Sequence, residues 1–488
     1  MSDSLVALLV ISFIVGLGAF IGFYACRRHE MDLEQWTVGG RGFGVVLVWL
    51  LMAGEVYTTF TFLGASGWAY SKGGPVLYIL GYQPLIYVAS FYILPQMWQV
   101  AQKHKLQTQA DFFRARYASK SLEALVALMG VIFILPYLQL QLTGLGIIME
   151  VASFGRIPRT PAMIISFTIV AAFVFTSGIR GVAWVSGLKD ILLLFAALFI
   201  GIAIPYHYFG GVGPLFTALI QANPRHLVMP GATPNLGHSW YITTVLLTAL
   251  GFFMWPQFIG GSFTAKSGDT LLRNAVVMPL YSITMPLMLF VGFTAALILP
   301  GLSNGDLSLL TMVQKTFPAW FLGVIGGAGA LTAMVPAAVL ILTAATLFIK
   351  NFVRPVIAPH ITDSQVARLA KITVVAITAV ALVFAILSST SLVSLLLLGY
   401  AGVAQFFPGV VFGLYWKRVS AVPVLLGLST GVAIAASLSL THRDPFLGWN
   451  AGFIGLCANF AVTVLASFLV RREPSDFVEL AFASPHKS

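Results

Sequence analysis

The hydrophobic positions of this chain fall into long continuous runs. Residues 6–26, 122–151, 182–209 and 273–300 are each mostly apolar over about 20 residues or more, enough for a helix to cross a hydrocarbon layer of roughly 30 Å. Similar runs recur along the whole chain, separated by short segments that carry charges, Pro or Gly. The pattern predicts an all-α integral membrane protein.

Thirteen transmembrane helices are predicted from these runs. We expect the first to be retained, because it is longer than the apolar region of a signal peptide and its Arg27 and Arg28 follow it. The thirteen spans begin near Leu5, Phe43, Pro75, Leu122, Pro161, Val182, Trp240, Asn274, Ala319, Ala367, Ser391, Ala421 and Phe446.

The composition argues against a soluble enzyme. Hydrophobic residues make up 58% of the 488 residues and charged residues only 9%, whereas a soluble globular chain carries roughly 25% charged residues. The net charge of +11 comes from basic residues scattered between the apolar runs, so no nucleic-acid partner is expected. Cys26 and Cys457 form no CxxC motif or Cys/His cluster, so we expect no metal site and no cofactor. The expected surroundings are a lipid bilayer.

The distribution of Lys and Arg predicts the orientation in the membrane. An odd number of spans places the termini on opposite sides, and cytoplasmic segments are enriched in basic residues. With the N-terminus outside, 21 of the 27 basic residues are on the inner side: Arg27, Arg28, Arg41, Lys103, Lys105, Arg114, Arg116, Lys120, Arg180, Lys189, Lys266, Arg273, Lys350, Arg354, Arg368, Lys371, Lys417, Arg418, Arg471, Arg472 and Lys487. The outer residues are Lys72, Arg156, Arg159, Arg225, Lys315 and Arg443. We therefore expect a multi-pass protein of the cell (plasma or inner) membrane, with the N-terminus outside and the C-terminus in the cytoplasm.

Two predicted spans contain residues that an ordinary membrane helix avoids. Residues 52–74 read MAGEVYTTFTFLGASGWAYSKGG, and residues 251–261 read GFFMWPQFIGG. Gly and Pro are common in membrane helices and can simply kink them. Broken helices at corresponding positions of two halves, however, form the binding sites of many transporters near the bilayer midplane. Because the two breaks fall in the first helices of two five-span blocks, spans 2–6 and 7–11, we favour a functional interpretation.

Two acidic residues inside the spans are candidates for exchanging a coupling proton. Glu55 lies well inside the second span, where an ionised carboxylate is costly and is by default a functional-site hypothesis. Low polarity disfavours the charged form, so this carboxyl could exchange a proton when solvent access alternates. A hydrogen-bonded clamp between helices is the alternative. Asp190 is either a second coupling group or part of a snorkelling surface pair with Lys189.

Several short segments together match a family pattern. GGR is found at residues 39–41, AGEVYTTFTF at residues 53–62 and PYLQLQLTGLG at residues 136–146. LLRNAVVMPLY is found at residues 271–281, and AMVPAAV followed by LFIKN within residues 333–351. With these segments the chain resembles the sodium:solute symporter family over essentially its full length, and most of all its monocarboxylate permease branch, whose acidic position corresponds to Glu55.

The resemblance implies a leucine-transporter-like fold, in which five helices repeat in inverted orientation and transport proceeds by alternating access. Residues 1–42 would then hold the first helix and a cytoplasmic loop, and residues 43–210 the first repeat. Residues 211–418 would hold the second repeat, and residues 419–488 two further helices and a cytoplasmic tail.

The coupling ion is expected to be a proton rather than sodium. Sodium-coupled relatives place two adjacent hydroxyl residues on span nine, and the resemblance puts Val335 and Pro336 at those positions. Neither side chain offers an oxygen, so a sodium site should be badly weakened, whereas Glu55 remains available for a proton. A residual sodium site is the alternative, and its candidate residues are Gly54, Tyr57 and Thr332.

The resemblance implies a small organic solute as substrate, and most directly a monocarboxylate. The Pro-His pair of monocarboxylate relatives reads Pro256-Gln257 here, which replaces a group that titrates near neutrality with a neutral amide. Helix N-termini at the breaks would favour an anion. The candidate substrate-binding residues are Gly54, Tyr57, Thr58, Thr61, Gln141, Trp255 and Gln257. Open alternatives are a sodium-coupled symporter of an amino acid or pantothenate, a channel, and a transport-like sensor; the sequence predicts no oligomeric state.

Overall fold

The computed structural model describes residues 1–27, 33–231 and 233–470, and its regular secondary structure there is helical. The first ten α-helices are α1 (Asp3–Cys26), α2 (Leu33–Val38), α3 (Val45–Val56), α4 (Ala65–Ser71), α5 (Tyr78–His104), α6 (Gln109–Tyr117), α7 (Lys120–Ala152), α8 (Arg159–Phe209), α9 (Val212–Ala222) and α10 (His238–Gly251). The others are α11 (Pro256–Ser262), α12 (Gly268–Val277), α13 (Thr284–Ile298), α14 (Ser308–Thr316), α15 (Ala319–Thr346), α16 (Asp363–Leu387), α17 (Leu392–Val403), α18 (Phe406–Tyr415), α19 (Ala421–Leu440) and α20 (Ala451–Leu469). Short 3-10 segments lie at Gly39–Arg41, Gly74–Leu77, Phe252–Met254, Met278–Ile283 and Gly305–Leu307, and π-helical segments at Phe60–Gly64 and Leu347–Ile357.

The length and hydropathy of these helices confirm a multi-pass, all-α membrane protein. Nine helices of the described ranges are long and apolar enough to cross a bilayer, and counting each of three bent pairs as one span gives up to twelve. A shorter apolar helix, Arg159–Val174, directly precedes one of the nine. The count of thirteen spans stays a prediction. Four of the basic residues assigned to the inner side, Arg28, Arg471, Arg472 and Lys487, lie outside the described residues.

Both predicted helix breaks are present. α3 and the segment Phe60–Ser71 meet at an angle of 50°, and the segment His238–Met254 meets α11 at 48°. A third bend, of 44°, separates α17 from α18 and was not predicted.

The two predicted breaks have different local causes. At the first, Tyr57 takes an extended backbone (φ −101°, ψ 94°) and the hydroxyl of Thr58 accepts a hydrogen bond from the amide of Phe60 at 3.2 Å. Side-chain acceptors of this kind compete with helical hydrogen bonding. At the second, Trp255 is extended (φ −59°, ψ 128°) because Pro256 disfavours a helical conformation in the residue before it. Each break therefore leaves helix-end groups that need other partners.

A glycine divides α8 into two parts. Gly178 has φ 53° and ψ −174°, a conformation open essentially to glycine alone. It separates the shorter helix Arg159–Val174 from the long helix Gly178–Phe209. These two parts correspond to the fifth and sixth predicted spans.

α15 is the central helix of the bundle and packs against α1, α7 and α8. A Cβ atom on Gly323 would lie 2.7 Å from Cβ of Val10 and 2.9 Å from the backbone oxygen of Ala7, so glycine is needed for α1 to approach this closely. Close approach at small residues is how membrane helices gain van der Waals contact. Because α8 and α15 also contact α3, the three helices meet beside the first break.

An ion-pair cluster joins α6 to the end of span nine on the predicted inner side. Lys350 lies 2.6 Å from Oδ2 of Asp111, and the amide of Asn351 donates to Asp111 at 2.7 Å and to Glu123 at 2.8 Å. Burial would raise the pKa of Asp111, but Lys350 and the hydrogen bonds outweigh it and hold this pKa below its ordinary value. The carboxylate of Asp111 therefore stays ionised and holds α6 to span nine, and Asn351 joins α7 to them through Glu123.

Candidate functional site

A lysine from α8 reaches into the first helix break. Nζ of Lys189 donates to the backbone oxygens of Ala53 and Gly54, each at 3.3 Å, and forms an ion pair with Oδ1 of Asp190 at 2.8 Å. The side chains of Lys189 and Asp190 are 0% and 2% exposed. The alternative of a snorkelling surface pair is therefore wrong, because the ammonium points into the bundle. Because Lys189 is buried, it no longer counts among the basic residues of the inner loops. The remaining inner basic residues still far outnumber the six outer ones.

The end of α3 explains why a cation binds there. The amide of Tyr57 closes the last helical turn on the oxygen of Ala53 at 3.0 Å. The extended backbone of Tyr57 then turns the chain away from the helix axis, so the oxygen of Gly54 is not used by the next turn. Exposed carbonyl groups at a helix C-terminus carry partial negative charge and attract cations. The ammonium of Lys189 occupies this position.

Asp190 also contacts the segment that precedes α13. The hydroxyl of Tyr281 lies 3.1 Å from the backbone oxygen and 3.4 Å from Oδ1 of Asp190, and its ring packs on Tyr57 at a centroid distance of 4.3 Å. The hydroxyl of Tyr57 in turn lies 2.9 Å from Oγ of Ser282 and 3.0 Å from the hydroxyl of Tyr87. The Tyr57 phenol is thus bonded to α5 and to the segment before α13, and its roles in substrate or sodium binding stay predictions.

Glu55 is buried at the break without hydrogen bonds to its carboxyl group. It is 2% exposed, and neither carboxyl oxygen has a partner among the described residues. The alternative of a hydrogen-bonded clamp therefore lacks the bonds it requires in the described part of the chain. The charge of Lys189 acts on this carboxyl, and the hydroxyl of Tyr137 donates to the backbone oxygen of Glu55 at 3.1 Å. Burial of polar atoms without hydrogen-bond partners costs free energy. A proton or a ligand group bound to these two oxygens would reduce that cost.

Val335 lies against the break, as the resemblance implies. A Cβ atom on Gly54 would lie 2.5 Å from Oγ of Ser186 and 3.3 Å from Cγ1 of Val335. A methyl group thus faces Gly54 where sodium-coupled relatives are expected to have a hydroxyl. Thr332, one turn earlier, donates its hydroxyl to the backbone oxygen of Ala328 in its own helix at 2.7 Å. The residual sodium site stays a prediction.

Near the first break, the predicted substrate residues Gln141 and Thr61 have buried polar groups that are not used within the described structure. The amide oxygen of Gln141 accepts a hydrogen bond from the hydroxyl of Thr59, but its nitrogen has no partner among the described residues. The hydroxyl of Thr61, in the π-helical segment after the break, likewise has none there. The hydroxyl of Thr58 is already used by the amide of Phe60.

The two helix breaks meet at a tyrosine of α7. The rings of Tyr137 and Trp255 have a centroid distance of 4.9 Å, and those of Trp255 and Tyr400 a distance of 5.4 Å. Because Tyr137 also donates to the backbone oxygen of Glu55, one side chain contacts both breaks. Tyr137 and Tyr400 were not predicted as site residues. Tyr137 lies within the PYLQLQLTGLG segment, which could have drawn attention to it.

Gln257 faces a cleft toward the predicted inner side. It is 1% exposed, and neither of its amide atoms has a partner in the described ranges. The cleft is lined by Gln257 with Gly260 and Gly261, by Thr343 and Thr346 of α15, and by Gln107 between α5 and α6. Gln257 thus lies in this cleft, next to the second break.

These features define the class of the protein. Interrupted membrane helices, buried charges at an interruption and unused polar groups beside it are the architecture of a secondary transporter. The model of the Sodium:solute symporter family matches residues 36–431. The chain belongs to the sodium:solute symporter family, as the resemblance of its motifs indicated.

Two relatives are similar over nearly the whole chain. The "Uncharacterized symporter YhjB" of Bacillus subtilis is 43% identical, over 96% of this chain and 98% of the relative. The "Monocarboxylate transport permease protein" of Rhizobium johnstonii is 29% identical, over 95% of this chain and 97% of the relative. The second supports the resemblance to the monocarboxylate permease branch. Both are transport proteins and not enzymes.

A solved structure supports the fold. The chain is similar to a Na+-coupled sialic acid symporter in its substrate-bound outward-open state, with a TM-score of 0.80 and 17% identity. The match covers 96% of this chain and 99% of that chain. At this identity the likeness shows the fold alone, and it confirms the leucine-transporter-like architecture of a multi-pass symporter.

Proposed function

We propose that this symporter imports a small organic solute, most directly a monocarboxylate, by alternating access with a proton as the coupling ion. Glu55 carries the proposal, since its buried carboxyl lies at a helix break without hydrogen bonds to described residues. Proton uptake removes a charge that is costly at this depth, and release follows when the site opens to the other side. Asp190, which pairs with Lys189, is the second proposed member of the coupling group.

The unused polar groups near the break support a small carboxylate as substrate. A buried donor without an acceptor costs about 1–3 kcal/mol, which the oxygens of a bound carboxylate would remove. The nitrogen of Gln141 and the hydroxyl of Thr61 are such donors. The relative from Rhizobium johnstonii, named as a monocarboxylate transport permease, supports the same class. The proposed substrate-binding residues are Gly54, Tyr57, Thr58, Thr61, Gln141, Trp255 and Gln257.

Sodium-coupled transport of another small solute is the second candidate. It is favoured by the similar fold of a Na+-coupled symporter, and its proposed ligands are Gly54, Tyr57 and Thr332. One contact counts against it: the oxygen of Gly54 accepts a hydrogen bond from the ammonium of Lys189, whose positive charge would repel a sodium ion.

Uptake into vesicles tests the proposed function. The substrates are radiolabelled pyruvate, lactate, acetate, propionate, proline and pantothenate. With sodium absent on both sides, an imposed inward proton gradient should drive accumulation, and a protonophore should collapse it. A weak acid also crosses as its neutral form, so protein-free vesicles and the Glu55→Gln variant are the controls. Accumulation that requires sodium and saturates with it would contradict proton coupling.

Alanine substitutions of two glutamines test whether their amides bind the substrate. Gln141→Ala and Gln257→Ala should each raise the half-saturating substrate concentration about three- to tenfold, the effect of one hydrogen bond. Gln139→Ala is the matched control on α7, because its amide donates to the backbone of Phe384 at 3.3 Å. Unchanged affinity in both Gln141→Ala and Gln257→Ala would make these residues structural.

The proposed orientation places the N-terminus outside and the C-terminus in the cytoplasm. It is supported by the excess of basic residues on the inner side, which persists without Lys189. The proposed repeats are residues 43–210 and 211–418, each of which has one of the two predicted breaks in its first span. In an inverted repeat the two breaks would face each other near the midplane.

A further inference from the structure

The ammonium of Lys189 has a complete set of partners. It has three N–H donors, and three oxygens surround it: the backbone oxygens of Ala53 and Gly54 and Oδ1 of Asp190. Two of these partners belong to α3 and one to α8. Since the side chain is fully buried, its charge is compensated by these oxygens rather than by water.

The same oxygens are of the kind that bind sodium in transporters. Carbonyl groups at an unwound helix end are typical ligands of a coupling Na+, and carboxylate oxygens suit the same hard cation. A lysine ammonium and a sodium ion carry the same charge. One position cannot hold both, so the ammonium of Lys189 excludes sodium from the end of α3.

The side chains around this position fit a tethered cation better than a free one. Of the two that approach Gly54 most closely, the side chain of Val335 has no oxygen and that of Ser186 has one. A sodium ion, which needs several oxygen ligands, would find a single side-chain hydroxyl in these two residues. An ammonium with three donors needs none beyond its three acceptors.

We infer that the ammonium of Lys189 is a tethered substitute for the coupling sodium ion, which fills the cation position at the end of α3 and holds α3 against α8. The inference rests on the proposed function for the identity of the coupling ion. A cation attached to the chain cannot be released into the cytoplasm. It supplies the structural effect of a bound sodium ion and leaves Glu55 to carry the transported proton.

The test removes the ammonium of Lys189 and measures whether a free cation binds in its place. Lys189→Ala leaves the carboxylate of Asp190 and two carbonyl groups around a space, whereas Lys189→Met fills the same space with an uncharged side chain. Lys350→Ala is the second control, since Lys350 is paired with Asp111 at 2.6 Å away from the break. Binding of radioactive 22Na+ and melting temperature in NaCl, methylammonium chloride or choline chloride are measured on purified protein without substrate.

Wild type, Lys189→Met and Lys350→Ala should show no specific response to sodium. Lys189→Ala should bind 22Na+ saturably and melt at a higher temperature in NaCl or methylammonium chloride than in choline chloride, because a ligand that binds the folded state stabilises it. If Lys189→Ala is recovered folded only with one of these cations, that dependence is itself the expected effect.

Two results would overturn the inference, and they are distinguishable. If Lys189→Ala responds to neither cation, or is recovered folded with neither, Lys189 is a structural ion-pair partner only, and proton-coupled uptake by wild type still stands. If wild type itself binds sodium saturably and is stabilised by it, both the role of Lys189 as a tethered cation and the proposed proton coupling are refuted.

Discussion

The ion pair of Lys189 and Asp190 allows a quantitative test of burial. Its atoms are 2.8 Å apart, and the side chains are 0% and 2% exposed. Removal of one partner from a buried pair leaves an uncompensated charge and costs about 3–5 kcal/mol, whereas removal of both is often close to neutral. We therefore expect Lys189→Met and Asp190→Asn each to destabilise the protein strongly and the double variant much less, with an interaction energy of about 3 kcal/mol.

A second ion pair isolates the effect of burial from that of distance. Arg273 and Asp269 are also 2.8 Å apart, but their side chains are 67% and 63% exposed. An exposed pair at this helical spacing contributes about 0.3–0.5 kcal/mol. The same cycle of single and double variants, Arg273→Met and Asp269→Asn, should therefore give an interaction energy several times smaller.

The free energy of unfolding is measured for all variants by denaturant titration in detergent, followed by tryptophan fluorescence. A transport assay cannot replace it, because Lys189 and Asp190 belong to the proposed coupling site. If the buried cycle gives an interaction energy no larger than that of Arg273 and Asp269, the ammonium does not depend on Asp190. The reasoning from burial would then be refuted.

Three further predictions concern the proton, the topology and a buried carboxyl in a loop. Glu55→Gln should abolish concentrative uptake while leaving some exchange, because the amide has nearly the same size and polarity as the carboxyl group but cannot bind and release a proton; full accumulation would remove Glu55 from the coupling role. In a background that carries both Cys26→Ala and Cys457→Ala, an impermeant thiol reagent should label a cysteine at position 2 in intact cells but not one at position 484, which is outside the described residues; the reverse pattern would contradict the orientation. Burial raises the pKa of Asp306, in the loop before α14, to about 7 against an opposing hydrogen bond from the amide of Leu392. The folded state thus holds this proton more tightly than the unfolded state, so the stability it contributes is present at low pH and is lost as the pH rises through about 7. The melting temperature of wild type minus that of Asp306→Asn should therefore fall between about pH 5 and about pH 8, and a flat difference would contradict the assignment.

Most of the fold could be predicted because its signals are local. Apolar runs long enough to cross a bilayer are visible in any window of the chain, and the breaks next to Thr58 and before Pro256 follow from side chains at the break itself. The third bend has a local signal as well, since Pro408 cannot donate to the backbone oxygen of Ala404, but it was not used for the prediction. At this bend Gln405 donates to the backbone oxygens of Ala401 at 3.0 Å and of Gly452 at 3.1 Å, the second in α20. The contact with α20, a helix far along the chain, cannot be read from the residues around the bend.

The candidate site was only partly predictable for the same reason. Glu55 stands out as an isolated acid in an apolar run, but Lys189 beside Asp190 is equally compatible with a helix surface. Which face of α8 points inward is decided by its packing on α3, more than a hundred residues earlier in the chain. One local signal did exist: Ser186 and Lys189 are three residues apart and therefore share a helix face, and both lie against Gly54.

Val335 and Lys189 have complementary effects at the break: Val335 lacks the hydroxyl that would bind sodium, and Lys189 supplies a positive charge in its place. Loss of hydroxyl ligands without a new cation would leave the carboxylate of Asp190 buried and unpaired, and a lysine added to an intact sodium site would compete with the ion. With both changes, Asp190 is neutralised by a charge that stays with the protein. While this ion pair stays intact, the charge at the break varies only with the protonation of Glu55 and the presence of substrate. Import of a monoanion together with one proton would therefore move no net charge across the membrane, so the pH difference and not the membrane potential would drive accumulation.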